Sequence, residues 1–167
     1  MTLSSDKGFS LAETVIALGV LTTGIIGAAS VLVAGMTNLS SSPSDVIVAQ
    51  KATQAIESVF AARDSKRLIW SQINNVSNGG VFLDGPQPLY LPGADGFVGT
   101  ADDAVAGIEH IDIPGQTIAL TAYTRQIQIA DVANENGDLR QITVTITYQN
   151  GQTKRNYVLV TYISAFA

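Results

Sequence analysis

Cysteine is absent from this sequence of 167 residues, and histidine occurs once, at His110. Without cysteine the chain has no disulfide and no thiol nucleophile. One imidazole with flanking acids at Glu109 and Asp112 lacks the second nitrogen or sulfur ligand of a zinc site. His110 and Asp112 alternate with Ile111 and Ile113, which is typical of a surface strand. The chain also lacks a glycine loop that follows a strand and cradles a phosphate. We therefore expect no enzymatic activity.

Charge is scarce as well. Only 14% of the residues are charged, which is below the usual quarter for soluble domains, and the net charge is −5. The nine Lys and Arg residues are scattered, so no basic patch is available for nucleic acid. This composition fits a chain that is partly embedded in a membrane. An exported domain without disulfides must then be held by its core, by assembly or by a metal ion.

One long apolar run supplies much of the hydrophobicity. Thr14–Met36 comprises 23 residues and, at roughly 1.5 Å per residue, forms about 35 Å of helix, enough to span a bilayer. A cleaved export signal has a shorter apolar core followed by small residues, and Ala28-Ala29-Ser30 keeps that alternative open. The length of the run and the acid at Glu13 argue against it. Lys7 precedes the run and the next basic residue is Lys51, which favours a cytoplasmic N-terminus and an exported C-terminal domain.

A stripe of small residues runs along the predicted helix. Gly19, Thr23 and Gly27 recur at four-residue spacing. Small residues at this spacing let helices approach closely within a membrane, so the stripe predicts helix packing. The general abundance of glycine in membrane helices explains the pattern nearly as well.

Glu13 is the one ionisable side chain between Phe9 and Met36. A lone carboxylate in an apolar segment is costly, and such residues generally have a function and a charged partner. With the small-residue stripe, Glu13 favours assembly of one helix on another.

The residues around Glu13 resemble a known signal. Lys7-Gly8-Phe9-Ser10-Leu11-Ala12-Glu13 before an apolar helix is similar to the processing and assembly signal of type IV prepilins and type II secretion pseudopilins. The family often has Thr in place of Ser10, and Ile or Val in place of Ala12. The segment 18–27 looks most like the minor pilin PilV group and the minor pseudopilin I group.

The resemblance implies processing and a charge pair. A prepilin peptidase would cut between Gly8 and Phe9, remove the leader 1–8 and leave Phe9 methylated. Glu13 would become the fifth residue of the mature chain. Its carboxylate would neutralise the Phe9 ammonium of a neighbouring subunit, since either charge alone is expensive in an apolar medium.

The residues after Met36 predict a second helical segment. Thr37–Ser44 is rich in serine and contains Pro43, which should loosen or kink the helix and open a new helical segment there. From position 44 to about position 63 the pattern is amphipathic, and this face should hold a sheet. Its apolar positions are Val48, Ala52, Ala55, Val59 and Ala62.

Strand patterns dominate the remainder. The segment 74–92 is punctuated by Asn, Gly and Pro and is expected to be a variable loop with edge strands. Strands are predicted at Ile108–Ile113, Ala119–Ile129, Gln141–Tyr148 and Asn156–Ile163, with a hairpin turn at Asn150-Gly151 between the last two.

The expected fold is α+β. A long N-terminal helix, transmembrane in its first half and amphipathic in its second, packs on a small antiparallel sheet that ends in a C-terminal hairpin. The predicted organisation is a leader at 1–8, an assembly helix at 9–36 and an exported pilin-like domain at 37–167.

An acidic loop offers a possible cation site. Asp95, Asp102 and Asp103, with the Thr100 hydroxyl, lie in the glycine-rich segment 93–103. Calcium takes six to eight oxygen ligands from carboxylates and carbonyls on a chain that bends sharply. The loop is not an EF-hand, but it is similar in composition to the calcium loop of the major pseudopilins. An ordinary solvated turn explains the same residues equally well.

The resemblance implies a structural minor subunit of a type IV pilus or related filament. It would enter the inner membrane, be processed by prepilin peptidase and join other pilins or pseudopilins. The alternative is an exported module that is tethered to the membrane and binds calcium or another ligand without polymerising. The carboxylate at Glu13 favours the filament, because a mere tether gains nothing from it.

Overall fold

A computed structural model describes residues 10–150 and 153–166, without the side chains of residues 37–43, 113 and 150. The predicted cleavage residues Gly8 and Phe9 therefore lie outside the described part of the chain. The chain divides into two units, Met1–Pro43 and Ser44–Ala167, which are considered separately below.

Helix α1 extends from Leu11 to Asp64. The prediction that a new helical segment begins near Pro43 was wrong, because the backbone is helical through this stretch. A proline inside a helix removes one backbone hydrogen bond and crowds the carbonyl four residues earlier, but the turns on either side can remain helical. The predicted amphipathic segment is confirmed, and all five of its apolar positions are fully buried: Val48, Ala52, Ala55, Val59 and Ala62.

The second unit contains a four-stranded antiparallel sheet in the order β1-β4-β5-β6. Strand β1 (Gln87–Pro88) is short, whereas β4 (Thr124–Asp131), β5 (Leu139–Asn150) and β6 (Thr153–Ser164) are long. A separate hairpin pairs β2 (His110–Ile113) with β3 (Gln116–Ala119). The short helix α2 (Asp103–Ala106) and two 3₁₀ turns (Trp70–Gln72 and Val76–Asn78) lie in the connecting segments. The predicted α+β fold is confirmed at this level.

Strands β5 and β6 form the predicted C-terminal hairpin but extend beyond the predicted bounds, and Gly151 of the predicted turn lies outside the described residues. Asn150 pairs with Thr153, and the register continues to Leu139 opposite Ser164. Apolar and polar residues alternate along β5, and the apolar side chains are buried on one face of the sheet. Contacts between such side chains on neighbouring strands stabilise the sheet. The buried apolar residues on this face of the sheet are Ile127, Ile129, Ile142, Val144, Ile146, Tyr148 and Ile163.

One predicted strand was wrong in its extent. The structure divides the segment Ala119–Ile129 between β3, which ends at Ala119, and β4, which begins at Thr124. Tyr123 N–H donates to the Leu120 carbonyl, so a turn separates the two strands. The turn residues Leu120-Thr121-Ala122-Tyr123 include no Gly, Pro, Asn or Asp, so no turn signal interrupted the strand pattern in the sequence.

Strands β5 and β6 pack alongside the helical segment of the second unit, with contacts at both of its ends. Tyr148, near the end of β5, contacts Asp45, and Arg63 donates to the carbonyl of Ser164 at the end of β6. Strand β6 therefore runs in the same direction as residues 45–63 of α1. Burial of the apolar helical face against the sheet forms the core of this unit.

Candidate functional sites in the apolar helix and the acidic loop

Within the described residues, Leu11–Met36 is the one helical stretch long and apolar enough to cross a membrane. Its mean hydropathy is 2.2, and none of it is buried against the rest of the described chain. Leu11 is 83% exposed and Val31 is 73% exposed. A continuous apolar surface of this size generally contacts lipid or another protein.

Glu13 lies in the first turn of this helix. Its backbone N–H donates to Ser10 Oγ at 3.2 Å, and Thr14 N–H donates to the Ser10 carbonyl at 3.1 Å. Ser10 is thus the N-cap, and an acid in the first turn interacts favourably with the helix dipole. Within the described residues, no side chain pairs with the Glu13 carboxylate.

Sequence reasoning missed this cap. The signal was available, because Ser10-Leu11-Ala12-Glu13 matches the capping-box spacing of a Ser followed three residues later by a Glu. Both residues would remain after the predicted cut between Gly8 and Phe9. Ser10 therefore caps the helix through the Glu13 backbone N–H, and the Glu13 carboxylate lies in the first turn, where the helix dipole favours it.

No other part of the described chain packs against the glycines of the small-residue stripe. A Cβ built at Gly19 or Gly27 meets no atom within 4 Å. The Thr23 hydroxyl donates back to the carbonyls of Gly19 at 3.2 Å and Val20 at 2.9 Å. Contacts within the described chain therefore do not require small residues here, and helix packing along this stripe stays a prediction.

The acidic loop gathers its carboxylates as the sequence suggested. One oxygen from each of Asp95, Asp102 and Asp103 lies within 4.8 Å of the others. Gly93 permits this approach, since an added Cβ would overlap the Asp102 carboxylate. The loop is therefore folded tightly around these side chains.

Asp103 is the buried member, with 3% of its surface exposed. Its carboxylate accepts from Gly93 N–H at 3.0 Å, from Gly99 N–H at 2.5 Å and from the Thr100 hydroxyl at 3.3 Å. Burial raises the pKa of Asp103 above its ordinary value, against the opposing effect of these donors and Arg125. This side chain fastens the two ends of the loop together.

Asp102 and Asp95 bond mainly to the loop itself. Asp102 accepts from Asp95 N–H at 3.0 Å and from the Thr100 hydroxyl at 2.8 Å, and the Asp95 carboxylate accepts from Phe97 N–H at 2.8 Å. The hydrogen bond from Asp95 N–H, together with that from Thr100, lowers the pKa of Asp102 below its ordinary value. Backbone donors therefore hold both carboxylates in place.

A buried ionic network lies next to the loop. Lys51 on α1 forms an ion pair with Glu109, and Glu109 Oε1 lies 3.4 Å from Arg125 Nη1. Arg125 Nη2 lies 3.9 Å from Asp103 Oδ2 and donates to the Tyr90 carbonyl at 3.1 Å. Glu109 is 1% exposed and Arg125 is 3% exposed. Two cations and two carboxylates thus link the helix, strand β4 and the acidic loop.

Sequence reasoning did not identify this network. Arg125 occupies the same face of β4 as Ile127 and Ile129, so strand alternation would have placed its guanidinium inside. Burial lowers the pKa of Arg125, and the neighbouring Glu109 and Asp103 oppose that effect. An inward-facing Arg therefore predicts buried acidic partners, although not which ones.

The hydrogen bonds of the three aspartates explain the fold of the acidic loop without a bound cation. Five carboxylate oxygens of the three aspartates already accept hydrogen bonds. A calcium ion would need oxygen ligands that these donors now occupy, and it would stand near the Arg125 guanidinium. The observed contacts support a role in ordering the loop, and calcium binding stays a prediction.

His110 is exposed on β2, with its Nε2 atom 3.7 Å from an Asp112 oxygen. The expected absence of catalysis stays a prediction. Comparisons of the chain with protein-family models, with curated proteins and with solved structures found no match.

Proposed function

We propose that this chain is a structural minor subunit of a type IV pilus or related filament, processed between Gly8 and Phe9. One observation carries the proposal: Glu13 lies in the first turn of α1, at the start of an exposed apolar stretch of 26 residues. A carboxylate in such a surface needs a positive partner once the helix enters lipid or a helical bundle. The processed amine of Phe9 on a neighbouring subunit supplies that charge.

The proposed path starts at the inner membrane. The helix inserts with a cytoplasmic N-terminus, prepilin peptidase removes the leader, and the subunit leaves the bilayer to join other pilins or pseudopilins. The α+β unit after Ser44 is the exported part. Resemblance to the minor pilin PilV group and the minor pseudopilin I group supports a minor rather than a major role.

Mass spectrometry of the N-terminus tests the processing step. A mature chain that begins at methylated Phe9 supports the proposal. Retention of Met1 excludes processing, and cleavage near Ser30 identifies the apolar run as an export signal.

Two substitutions separate the charge of Glu13 from its role at the helix start. Glu13→Gln keeps a side chain that fits a capping box but removes the charge, whereas Ser10→Ala removes the cap and keeps the charge. We expect Glu13→Gln to be processed normally and to be excluded from filaments, since the Phe9 amine would have no counter-charge. Ser10→Ala should still assemble.

The opposite result points to the alternative function. If Glu13→Gln enters filaments as well as the native chain does, charge pairing is refuted. If the native chain stays in the membrane and never enters a filament, the tethered exported module becomes the better description.

A further inference from the structure

The two edges of the four-stranded sheet are finished differently. At the β4 edge, strand β1 pairs with Thr124 and Arg125. Beyond β1, the buried side chain of Asn75 takes the place of a neighbouring strand. Its amide nitrogen donates to the Ile127 carbonyl at 2.9 Å, and its amide oxygen accepts from Ile129 N–H at 2.7 Å. The chain itself therefore covers this edge of the sheet.

Strand β6 forms the opposite edge, and within the described residues no strand pairs with its outer side. Ala165 N–H donates to the Asp138 carbonyl across the hairpin, whereas the Ser164 carbonyl accepts from Arg63. Because hydrogen-bonding direction alternates along an edge strand, the even-numbered residues from 156 to 162 direct their N–H and C=O groups away from β5. Among the described residues, the backbone of 156–163 bonds to β5 alone. The edge thus presents an open row of donors and acceptors.

This open edge lacks the features that usually keep edge strands apart. From Asn156 to Ser164 the strand has no charged residue, proline or glycine, and its register with β5 is unbroken by a bulge. Proteins commonly protect an exposed edge with lysine, proline, a bulge or a covering segment. Lys154 and Arg155 occupy only the beginning of the strand. An edge of this kind is suited to accept a further strand.

Apolar residues on the outer face of the sheet are also found at this edge. Val158, Val160 and Tyr162 lie on the face away from the core and are between 45% and 54% exposed. In the sheet register they lie opposite three polar residues of β5: Thr145, Thr143 and Gln141. A strand added outside β6 would cover the three apolar side chains from their open side. Contacts between β-branched or aromatic residues on neighbouring strands stabilise a sheet.

We propose that the outer edge of β6 accepts an extended segment of a different protein as a fifth strand of the sheet. The matching segment is uncharged, because it lies along the uncharged run 156–164. It carries apolar residues at alternate positions, which meet Val158, Val160 and Tyr162. Main-chain hydrogen bonds supply the affinity of such a contact, and the alternate side chains supply its specificity.

A second copy of the chain does not fit this edge in a filament. Twofold pairing of β6 with β6 is antiparallel, and β6 runs in the same direction as residues 45–63 of α1. The two helical segments would therefore run in opposite directions, whereas the subunits of a helical filament share one direction. Head-to-tail pairing would need the β4 edge, which β1 and Asn75 cover. Exclusion of a second copy rests on the filament proposed above; the open edge does not.

Hydrogen exchange at single amides of the full chain in detergent micelles tests the inference. The probe is a synthetic peptide with the sequence Gln141–Tyr148, which is uncharged and alternating, with two lysines added at each end for solubility. The control peptide carries Val144→Pro and Thr145→Pro, which remove N–H donors from both of its sides. In the free chain, the even-numbered amides from 158 to 162 should exchange rapidly and the odd-numbered ones slowly. At saturation the probe, and not the control, should slow the even-numbered amides by more than about tenfold.

Matched substitutions locate the contact on the strand. Val160→Lys places a charge at the edge, whereas Thr143→Lys places it on the same face one strand inward, since Thr143 is the β5 partner of Val160. Val160→Lys should weaken binding of the probe peptide roughly fivefold, and Thr143→Lys should leave it unchanged. Val160→Pro removes an outward N–H without removing a bond to β5, so it should abolish binding. Circular dichroism checks that each variant is folded.

Failure of the probe to slow exchange, or equal binding by Val160→Lys and Thr143→Lys, overturns the inference. Slow exchange of the even-numbered amides in the free chain also overturns it. Protection that grows with protein concentration assigns the edge to a second copy, and protection independent of concentration assigns it to the chain itself. Mass spectrometry of the N-terminus separates the two proposals: a processed chain that does not bind the probe refutes this inference alone, and an unprocessed chain that binds it refutes the filament alone.

Discussion

The hydroxyl of Tyr148 donates a hydrogen bond to the Asp45 carboxylate at 2.5 Å. The contact joins a buried residue near the end of β5 to the helical segment that opens the second unit. A hydrogen bond to a charged group contributes about 1.5 kcal/mol or more to stability. This pair therefore secures the end of β5 to the start of the helical segment of the second unit.

Tyr148→Phe should lower the free energy of unfolding by about 1.5 kcal/mol. The hydrogen bond raises the pKa of Tyr148, so its stabilising effect is complete below the ordinary tyrosine pKa and declines as the pH rises above it. Urea unfolding at several alkaline pH values should show this decline in the native chain and less of it in Tyr148→Phe. Identical pH profiles would refute the assigned role.

Arg125→Met should destabilise the second unit by about 3–5 kcal/mol, because it leaves Glu109 and Asp103 buried without their shared cation. Chemical unfolding followed by circular dichroism measures the loss. Lys154→Met is the control, since that exposed side chain should change stability by less than about 0.5 kcal/mol. Equal effects of the two substitutions would contradict the importance of the network.

Two neighbouring aspartates should affect acid stability in opposite directions. The lowered pKa of Asp102 means that its contribution is present above the ordinary aspartate pKa and is lost as the pH falls through the folded-state value. The raised pKa of Asp103 means that protonation on acidification favours the folded state. Asp102→Asn should therefore flatten the acid loss of stability, and Asp103→Asn should steepen it. Slopes of unfolding free energy against pH that change in the same sense would rule out this assignment.

The calcium prediction is tested by melting the protein with and without millimolar calcium. Binding to the folded state alone should raise the melting temperature, and Asp102→Ala should abolish the rise. An unchanged melting temperature in the native chain would contradict calcium binding. The three carboxylates would then serve only to order the loop.

Replacing glycines of the small-residue stripe with leucine tests whether other helices pack on it. Gly19→Leu and Gly27→Leu meet no atom of the described chain, so they should leave the second unit as stable as before. They should weaken association of the helices in detergent or in filaments if neighbouring helices pack on this face. Ala17→Leu, about a third of a turn from the stripe, is the control. Equal assembly of all three variants would remove the stripe from the interface.

The local elements could be predicted because their signals are short in range. The 4-3-4-3 spacing from Val48 to Ala62 and the alternation from Ile142 to Tyr148 each report one periodic backbone with one buried face. Two predictions were wrong: the undivided strand across the boundary between β3 and β4, and the start of a new helix near Pro43. Both concern where an element begins or ends, which the periodicity of the side chains does not define. Ends depend on single hydrogen bonds, which periodicity does not contain.

The sequence by itself determined the apolar helix, the position of Glu13 in it and the hairpin, because each depends on residues that are near neighbours in the chain. Only the tertiary structure decided that Lys51, Glu109, Arg125 and Asp103 meet in one buried network. These residues come from four separate segments. Their pairing follows from how the helix, the sheet and the acidic loop pack, and burial then makes each charge depend on the others.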